Sequence, residues 1–86
     1  MKVIHRLVGY DPKTDRMKLK INIADRLLGD AKRIAGVPDD DPDAAWSYPL
    51  SHSPVRAVAT LIGAQLDPDN AEFFLEAFAD RGRRPR

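Results

Sequence analysis

Alternating apolar and polar positions dominate the first quarter of the chain and predict a β-hairpin. In residues 16–23, every second side chain is apolar and the side chains between them are basic or amide, which indicates a half-buried strand. Residues 2–9 are also rich in apolar side chains and predict a preceding strand. Between these runs, residues 10–15 contain Asp11-Pro12, a pair that favours a type I turn. The two strands are therefore expected to form a hairpin with a short loop.

Apolar side chains at helical spacing predict two helices after the hairpin. The first is expected over residues 23–35, with Asn22 as its N-cap and Gly36 as the left-handed residue that ends it. Ser53 followed by Pro54 predicts the start of the second helix, because serine is a good cap and proline suits the first helical position. Its apolar stripe continues for about three turns.

Residues 70–79 allow two interpretations, and we predict a helix. Their apolar positions recur at helical spacing after Asp67-Pro68, and alanine and glutamate are strong helix formers. The competing interpretation is a strand, because every second residue from Phe73 is also apolar and aromatic residues favour sheets. Residues 46–50 are compatible with a short edge strand.

These elements predict an α+β fold in which the N-terminal β-hairpin packs against two or three short helices. In the competing interpretation, the last element is a third strand instead of a helix. The length suits one domain, which we assign to residues 1–80. Residues 81–86 lack apolar side chains and are predicted to form a disordered basic tail.

The composition removes several classes of function from consideration. The chain has no cysteine, which excludes disulfides, a thiolate nucleophile and zinc bound through sulfur. It shows no signal-peptide pattern and no apolar run of the roughly 18 residues that a membrane span needs, so a cytoplasmic location is expected. Its five glycines form no phosphate-binding loop, and no cofactor is predicted.

The two histidines, His5 and His52, are the remaining candidates for catalysis or metal binding. A metal site generally needs at least three ligands, and neither histidine lies in a recognisable ligand spacing. His52 stands between Ser51 and Ser53, but neighbours in sequence rarely point toward one another, and Ser53 is predicted to cap a helix. We therefore predict a protein without enzymatic activity and without a metal site.

The net charge of +1 conceals three differently charged segments. Residues 1–36 carry nine Lys/Arg against four Asp, a charge of +5, whereas residues 37–80 carry −8 and residues 81–86 carry +4. The acidic segment opens with four clustered aspartates, Asp39, Asp40, Asp41 and Asp43. Their spacing does not match a calcium loop, so a solvated acidic loop is favoured over a metal site. We predict that these carboxylates bind another protein with a basic surface.

Nucleic acid is the alternative partner. Basic side chains of the second strand and of the tail could contact phosphates, namely Arg16, Lys18, Lys20, Arg83 and Arg84. The acidic segment would repel a polyanion, and no aromatic stacking motif accompanies these residues, which disfavours this alternative. No membrane contact is predicted, and the protein is expected to be a monomer or a weak dimer.

The single tryptophan, Trp46, and the nearby Tyr48 follow the aspartates. Either residue could anchor a partner, since such side chains dominate the energetics of interfaces. In a small domain with one tryptophan, burial against the sheet or the first helix is the better expectation.

The order of these signals resembles a family of short, mostly uncharacterised bacterial proteins. Its elements are a Tyr-Asp-x-x-Thr-Asp hairpin turn, an Asp-Asp-Pro loop, a Tyr-Pro-Leu segment and a Phe-Leu-Glu element. The matching residues, spread over about residues 4–77, are Tyr10-Asp11, Thr14-Asp15, Asp40-Asp41-Pro42, Tyr48-Pro49-Leu50 and Phe74-Leu75-Glu76. Some members look to accompany contact-dependent or polymorphic toxin systems, so the resemblance implies a toxin-neutralising role. No catalytic residues can be carried over from the family. The sequence thus favours a non-enzymatic protein-binding module, immunity-like or regulatory, that uses an acidic surface.

Overall fold

In the residues that the structure describes, 2–80, four antiparallel strands form one sheet, and two helices lie against one of its faces. The structure is a computed structural model. Its elements are β1 (Lys2–Tyr10), β2 (Met17–Ile23), α1 (Asp25–Ala35), β3 (Tyr48–Leu50), α2 (His52–Ile62) and β4 (Glu72–Asp80). The strand order is β2-β1-β4-β3. The predicted α+β class and the short edge strand are confirmed, and the predicted tail at 81–86 lies outside the described residues.

The predicted hairpin is confirmed, and Asp11 holds its turn. The Asp11 carboxylate accepts a hydrogen bond from Lys13 N at 2.8 Å, and Asp11 N donates to Arg16 O at 2.8 Å. The β1–β2 register shifts between Gly9 and Tyr10, so this end of the hairpin is irregular.

The last element is a strand, β4, so the helix prediction for residues 70–79 is wrong and the competing interpretation is right. β4 lies between β1 and β3 and pairs with β1 along its full length. This position buries Phe73 and Leu75, which outweighs the modest helix preference of the alanines and glutamates. Asp67 begins a turn instead of a helix, and its carboxylate accepts a hydrogen bond from Asp69 N at 2.9 Å.

Both helices end at a glycine, α1 at the predicted Gly36, but neither helix begins at its predicted cap. Gly36 and Gly63 take left-handed φ values of 74° and 71° and end α1 and α2. α1 begins later than predicted because β2 extends through Ile23, which keeps Asn22 inside the strand. α2 begins earlier than predicted, at His52. The structure gives neither helix a side-chain cap hydrogen bond.

The hydrophobic core lies between the helices and one face of the sheet. Its buried members come from all six elements and are Leu7, Ile23, Ala31, Leu50, Val55, Val58, Phe73 and Leu75. Gly9 also faces this side, where a Cβ atom would come within 2.9 Å of the Phe73 ring. Because side chains alternate along a strand, the even-numbered residues of β1 point away from the helices. The sheet therefore has one covered face and one face without a helix over it.

Candidate partner-binding surfaces

Asp41 organises the loop between α1 and β3, which we call the acidic loop (residues 37–47). Asp41 is only 8% exposed, and its carboxylate accepts hydrogen bonds from Ala45 N at 3.0 Å, Trp46 N at 3.4 Å and the Tyr48 hydroxyl. The bond from Ala45 N, followed by the bond from Tyr48, holds the pKa of Asp41 below its ordinary value. The bond to Asp41 also raises the pKa of Tyr48 to about 12. One carboxylate thus fixes the second half of the loop.

Two long-range hydrogen bonds connect the acidic loop to β1 and α1. His5 of β1 is buried, and its Nε2 lies 2.8 Å from the carbonyl oxygen of Asp43. Because a carbonyl oxygen only accepts, Nε2 carries the proton and donates. The Lys32 ammonium group of α1 donates to the carbonyl oxygen of Pro42. Ala44, the residue that follows these two contacts, is fully buried and has a positive φ of 47°. Contacts with β1 and α1 and the burial of Ala44 therefore hold the loop in place.

The acidic loop exposes its tryptophan and three of its carboxylates. Trp46 is 71% exposed, so the prediction that it is buried is wrong. The hydrogen bonds to Asp41 fix the backbone so that Ala44, instead of Trp46, takes the buried position. The exposed carboxylates are those of Asp39, Asp40 and Asp43. Asp41, the fourth aspartate predicted to bind a partner, is buried and already bonded, so it supports the loop from inside.

The two histidines contact different parts of the structure. The exposed His52 has its Nε2 3.6 Å from Asp69 Oδ1, while the His5 ring is bonded to a backbone carbonyl. Within residues 2–80, no three His, Asp or Glu side chains are grouped so that they could hold a metal ion.

The basic residues near the hairpin have different surroundings. The Lys18 ammonium group donates to Asn70 O at 3.0 Å and to Asn70 Oδ1 at 3.3 Å, whereas Lys20 is exposed on the face away from the helices. Arg16 precedes β2 and is exposed in the turn. The two remaining residues of the nucleic-acid alternative, Arg83 and Arg84, lie outside the described part of the chain. That alternative stays a prediction.

The sheet surface that faces away from the helices, which we call the open face, combines aromatic, aliphatic and charged side chains. The strand register assigns to it Ile4, Arg6, Val8 and Tyr10 of β1, Met17, Lys20 and Asn22 of β2, Pro49 of β3, and Glu72, Phe74, Glu76 and Phe78 of β4. Val8 is fully buried there, whereas Phe78 is 46% exposed. Ser47, the last residue of the acidic loop, donates to Glu76 at 3.1 Å, so the two surfaces adjoin. The period-two pattern of residues 72–78 is the sequence signal for this surface, and a helical interpretation conceals it.

Cross-strand contacts order the open face. The Tyr10 hydroxyl donates to the Glu76 carboxylate at 3.1 Å, and its ring meets the Phe74 ring edge-on with the centroids 5.7 Å apart. Burial, followed by the Glu76 charge, raises the pKa of Tyr10. The guanidinium carbon of Arg6 lies 4.1 Å from the centroid of the Phe78 ring. The Arg6 Nε is buried and has no hydrogen-bond partner among the described residues.

The fold is that of a small two-layer α+β domain whose exposed features are the acidic loop and the open face. The chain belongs to a family described as a domain of unknown function, DUF7683, whose family model matches residues 4–76. This finding confirms the resemblance to a family of uncharacterised proteins. No curated protein and no solved structure matches the chain. Neither helix of the described part has the length and apolar character needed to cross a membrane.

Proposed function

We propose that this protein is a non-enzymatic binding module that captures a protein partner with a basic surface through the acidic loop. The observation that carries the proposal is the 71% exposure of Trp46 beside three exposed carboxylates. Tryptophan contributes more to interfaces than most residues, because its ring removes a large apolar area from water when it is covered. In this proposal Trp46 is the anchor, and Asp39, Asp40 and Asp43 orient the partner.

The rigidity of the acidic loop supports the proposal. Immobilising a flexible interface side chain costs about 0.5–1.5 kcal/mol, and ordering a loop adds to that cost. The hydrogen bonds that Ala45 N and Trp46 N donate to Asp41, and that His5 donates to Asp43 O, hold the loop in one shape before a partner arrives. Binding energy from Trp46 is then not consumed by ordering the loop.

The charges of the loop define the chemistry of the partner. Three carboxylates beside an apolar anchor suit a partner that has a pocket for the indole ring and lysine or arginine at the rim of that pocket. Such charges speed the encounter with a basic surface, and the effect weakens as the salt concentration rises. In the form that the sequence resemblance implies, the protein acts in the bacterial cytoplasm and its partner is a basic toxin domain that it neutralises by binding.

The two buried titratable side chains that hold the acidic loop are already hydrogen-bonded, and this supports binding over catalysis. His5 donates to a backbone carbonyl, and the Asp41 carboxylate accepts three hydrogen bonds. A proton transfer to or from either side chain would break bonds that hold the loop. We therefore assign both residues to the support of the binding surface.

Affinity capture from the native host tests the proposal, followed by mass spectrometry and binding kinetics with the purified partner. The compared chains are the wild type, Trp46→Ala, Trp46→Phe and the triple variant Asp39→Asn, Asp40→Asn, Asp43→Asn. We expect Trp46→Ala to weaken the affinity at least about tenfold and Trp46→Phe to retain most of it. The triple variant should lower the association rate and its dependence on salt.

Asp25→Asn is the matched charge control, because Asp25 is an exposed carboxylate on α1 outside the acidic loop. It should bind like the wild type. Circular dichroism of each variant separates a loss of contact from a loss of fold. A partner that binds Trp46→Ala and the triple variant with wild-type affinity would refute the proposal.

A further inference from the structure

The charged side chains of the open face are sorted by strand. Lys20 on β2 and Arg6 on β1 are basic, whereas Glu72 and Glu76 on β4 are acidic. Apolar side chains occupy the positions between the charges. A nucleic acid would meet the carboxylates, and a uniformly acidic or basic protein would be repelled by one half of the face. A matching partner therefore carries both charges, in the reverse order, around an apolar centre.

We propose that the partner of the open face is a second copy of this chain, related by a two-fold axis that runs parallel to the strands between β1 and β4. Such an axis exchanges β1 and β4, so each β1 residue lies over the second copy of its own β4 partner. Arg6 then faces Glu76 of the second copy, and Ile4 faces Phe78 of the second copy. Opposite charges and apolar side chains meet in matching rows.

Two orientations of a two-fold axis can stack the open faces of two copies, one parallel and one perpendicular to the strands. The distribution of charge over the strands favours the parallel axis. A two-fold axis perpendicular to the strands would lay each strand over its own copy, so the basic side chains of β2 would meet each other. Like charges placed opposite one another destabilise such a contact. The parallel axis instead gives two sheets with nearly aligned strands, about 10 Å apart, as in ordinary sheet-on-sheet packing.

This contact would cover exposed apolar surface of the single chain and would give Arg6 a hydrogen-bond acceptor. The exposed parts of Phe78 and Met17, 46% and 45% of each residue, are apolar surface that the second sheet covers. The terminal nitrogens of the Arg6 guanidinium group gain the carboxylate of Glu76 of the second copy as an acceptor. Glu76 keeps its bond from Tyr10, because a carboxylate has about four acceptor sites.

The size of the face is that of a small, weak contact. The four strands average seven residues in length, so at ordinary spacing the face is equivalent to roughly 19 Å by 24 Å, or about 450 Å² per copy. The total of about 900 Å² lies at the low end of specific interfaces. The dimer is therefore weak, with a Kd on the order of 100 µM.

Sedimentation velocity of the purified chain, from roughly 10 µM to roughly 1 mM, brackets this Kd. The mass should rise with concentration from 9.6 kDa toward twice that value. Arg6→Glu and Glu76→Arg should each abolish the association, because each places like charges opposite one another. Arg16→Glu reverses an exposed charge outside the open face and should leave the dimer unchanged.

An equimolar mixture of Arg6→Glu and Glu76→Arg provides the decisive measurement. Each of the two contacts in the mixed dimer then joins opposite charges, so association should return, which a folding defect in either variant cannot produce. Phe78→Ala, a milder change, should weaken the association at least about tenfold while circular dichroism stays native.

Four results would overturn the proposal. The first three are a 9.6 kDa species at every concentration, a dimer that survives both charge reversals, and folded variants whose mixture stays monomeric. Salt-sensitive binding of single-stranded nucleic acid that is lost in Lys20→Glu would assign the face to the other class of partner and would also overturn it.

Discussion

The acidic loop and the open face are both exposed, but different interactions give them their shapes. Side chains hold the loop, because the Asp41 carboxylate, the His5 imidazole and the Lys32 ammonium group bond its backbone. The backbone ladder holds the open face, where nine β1–β4 pairs fix the cross-strand neighbours. One substitution can therefore reshape the loop and leave the sheet intact. The backbone of the open face shifts only when the strands or the core beneath them are disturbed.

The largest expected effect abolishes both surfaces at once. Leu75 is fully buried in β4, where it is paired with Leu7 and Tyr48. Leu75→Ala should lower the free energy of unfolding by about 2–5 kcal/mol, because it leaves a cavity in the core. Urea denaturation measures this loss. Phe78→Ala in the same strand should cost clearly less, and equal losses for the two variants would contradict the assignment of β4 as a core strand.

The next effect separates the loop from the sheet. Asp41→Asn keeps the size of the side chain, but its amide NH2 group cannot accept the hydrogen bonds that the carboxylate accepts. We expect the Tm to fall by a few degrees, the Trp46 fluorescence to change and the amide signals of the β1–β4 ladder to stay in place. Asp40→Asn, an exposed neighbour, is the control. Identical spectra for the two variants would show that Asp41 does not organise the loop.

Acid pH should weaken the loop in the wild type but not in Asp41→Asn. Hydrogen bonds hold the pKa of Asp41 below its ordinary value, so folding favours the charged form. The resulting stability is present above the unfolded pKa of about 3.9 and is lost as the pH falls through the folded pKa. The stability difference between the wild type and Asp41→Asn should therefore shrink below about pH 4. Thermal unfolding at a series of pH values measures it, and parallel curves would contradict it.

Alkaline pH should break the hydrogen bond between Tyr48 and Asp41 by ionising the tyrosine. Because the bond to Asp41 raises the pKa of Tyr48 from 10.0 to about 12, folding favours the neutral phenol. Its contribution is complete below pH 10 and is lost as the pH rises from 10 to about 12. The stability difference between the wild type and Tyr48→Phe should shrink over that window. Titration of the tyrosinate absorbance should also lose its highest step in Tyr48→Phe.

The smallest effect raises stability without touching either surface. Gly29 lies within α1, where an added Cβ would meet nothing within 4 Å. Gly29→Ala should stabilise the protein by about 0.5–1 kcal/mol, because glycine loses more backbone freedom on folding. Chemical denaturation measures the gain, and the variant is a useful background for the loop and open-face substitutions. Changed dimerisation in Gly29→Ala would mean that the helices influence the open face.

The secondary-structure elements whose apolar residues fit only one period, helical or alternating, were predictable from the sequence. The alternation in β2 and the glycine at the end of α1 each have a local cause, and both predictions are confirmed. Residues 70–79 satisfy the periods of both a helix and a strand. Only the pairing with β1, more than 60 residues away in sequence, decides between them. The open face therefore could not be derived without the register.

The candidate site could be predicted only in part for a similar reason. The aspartate cluster is visible in the sequence, and three of its carboxylates are exposed. The separate role of Asp41 and the exposure of Trp46 depend on contacts with Tyr48 and on the bond between His5 and Asp43, which are 38 positions apart. Local patterns carry no information about such a bond.

The brevity of β3 has a consequence for how the sheet can grow. β3 has three residues at one border of the sheet, and Pro49 in its middle has no amide hydrogen to offer. A strand from another molecule that approached β3 would find a ladder of only three residues to continue. The addition of a foreign strand is thus disfavoured at β3, and at the opposite border the charged lysines of β2 oppose it.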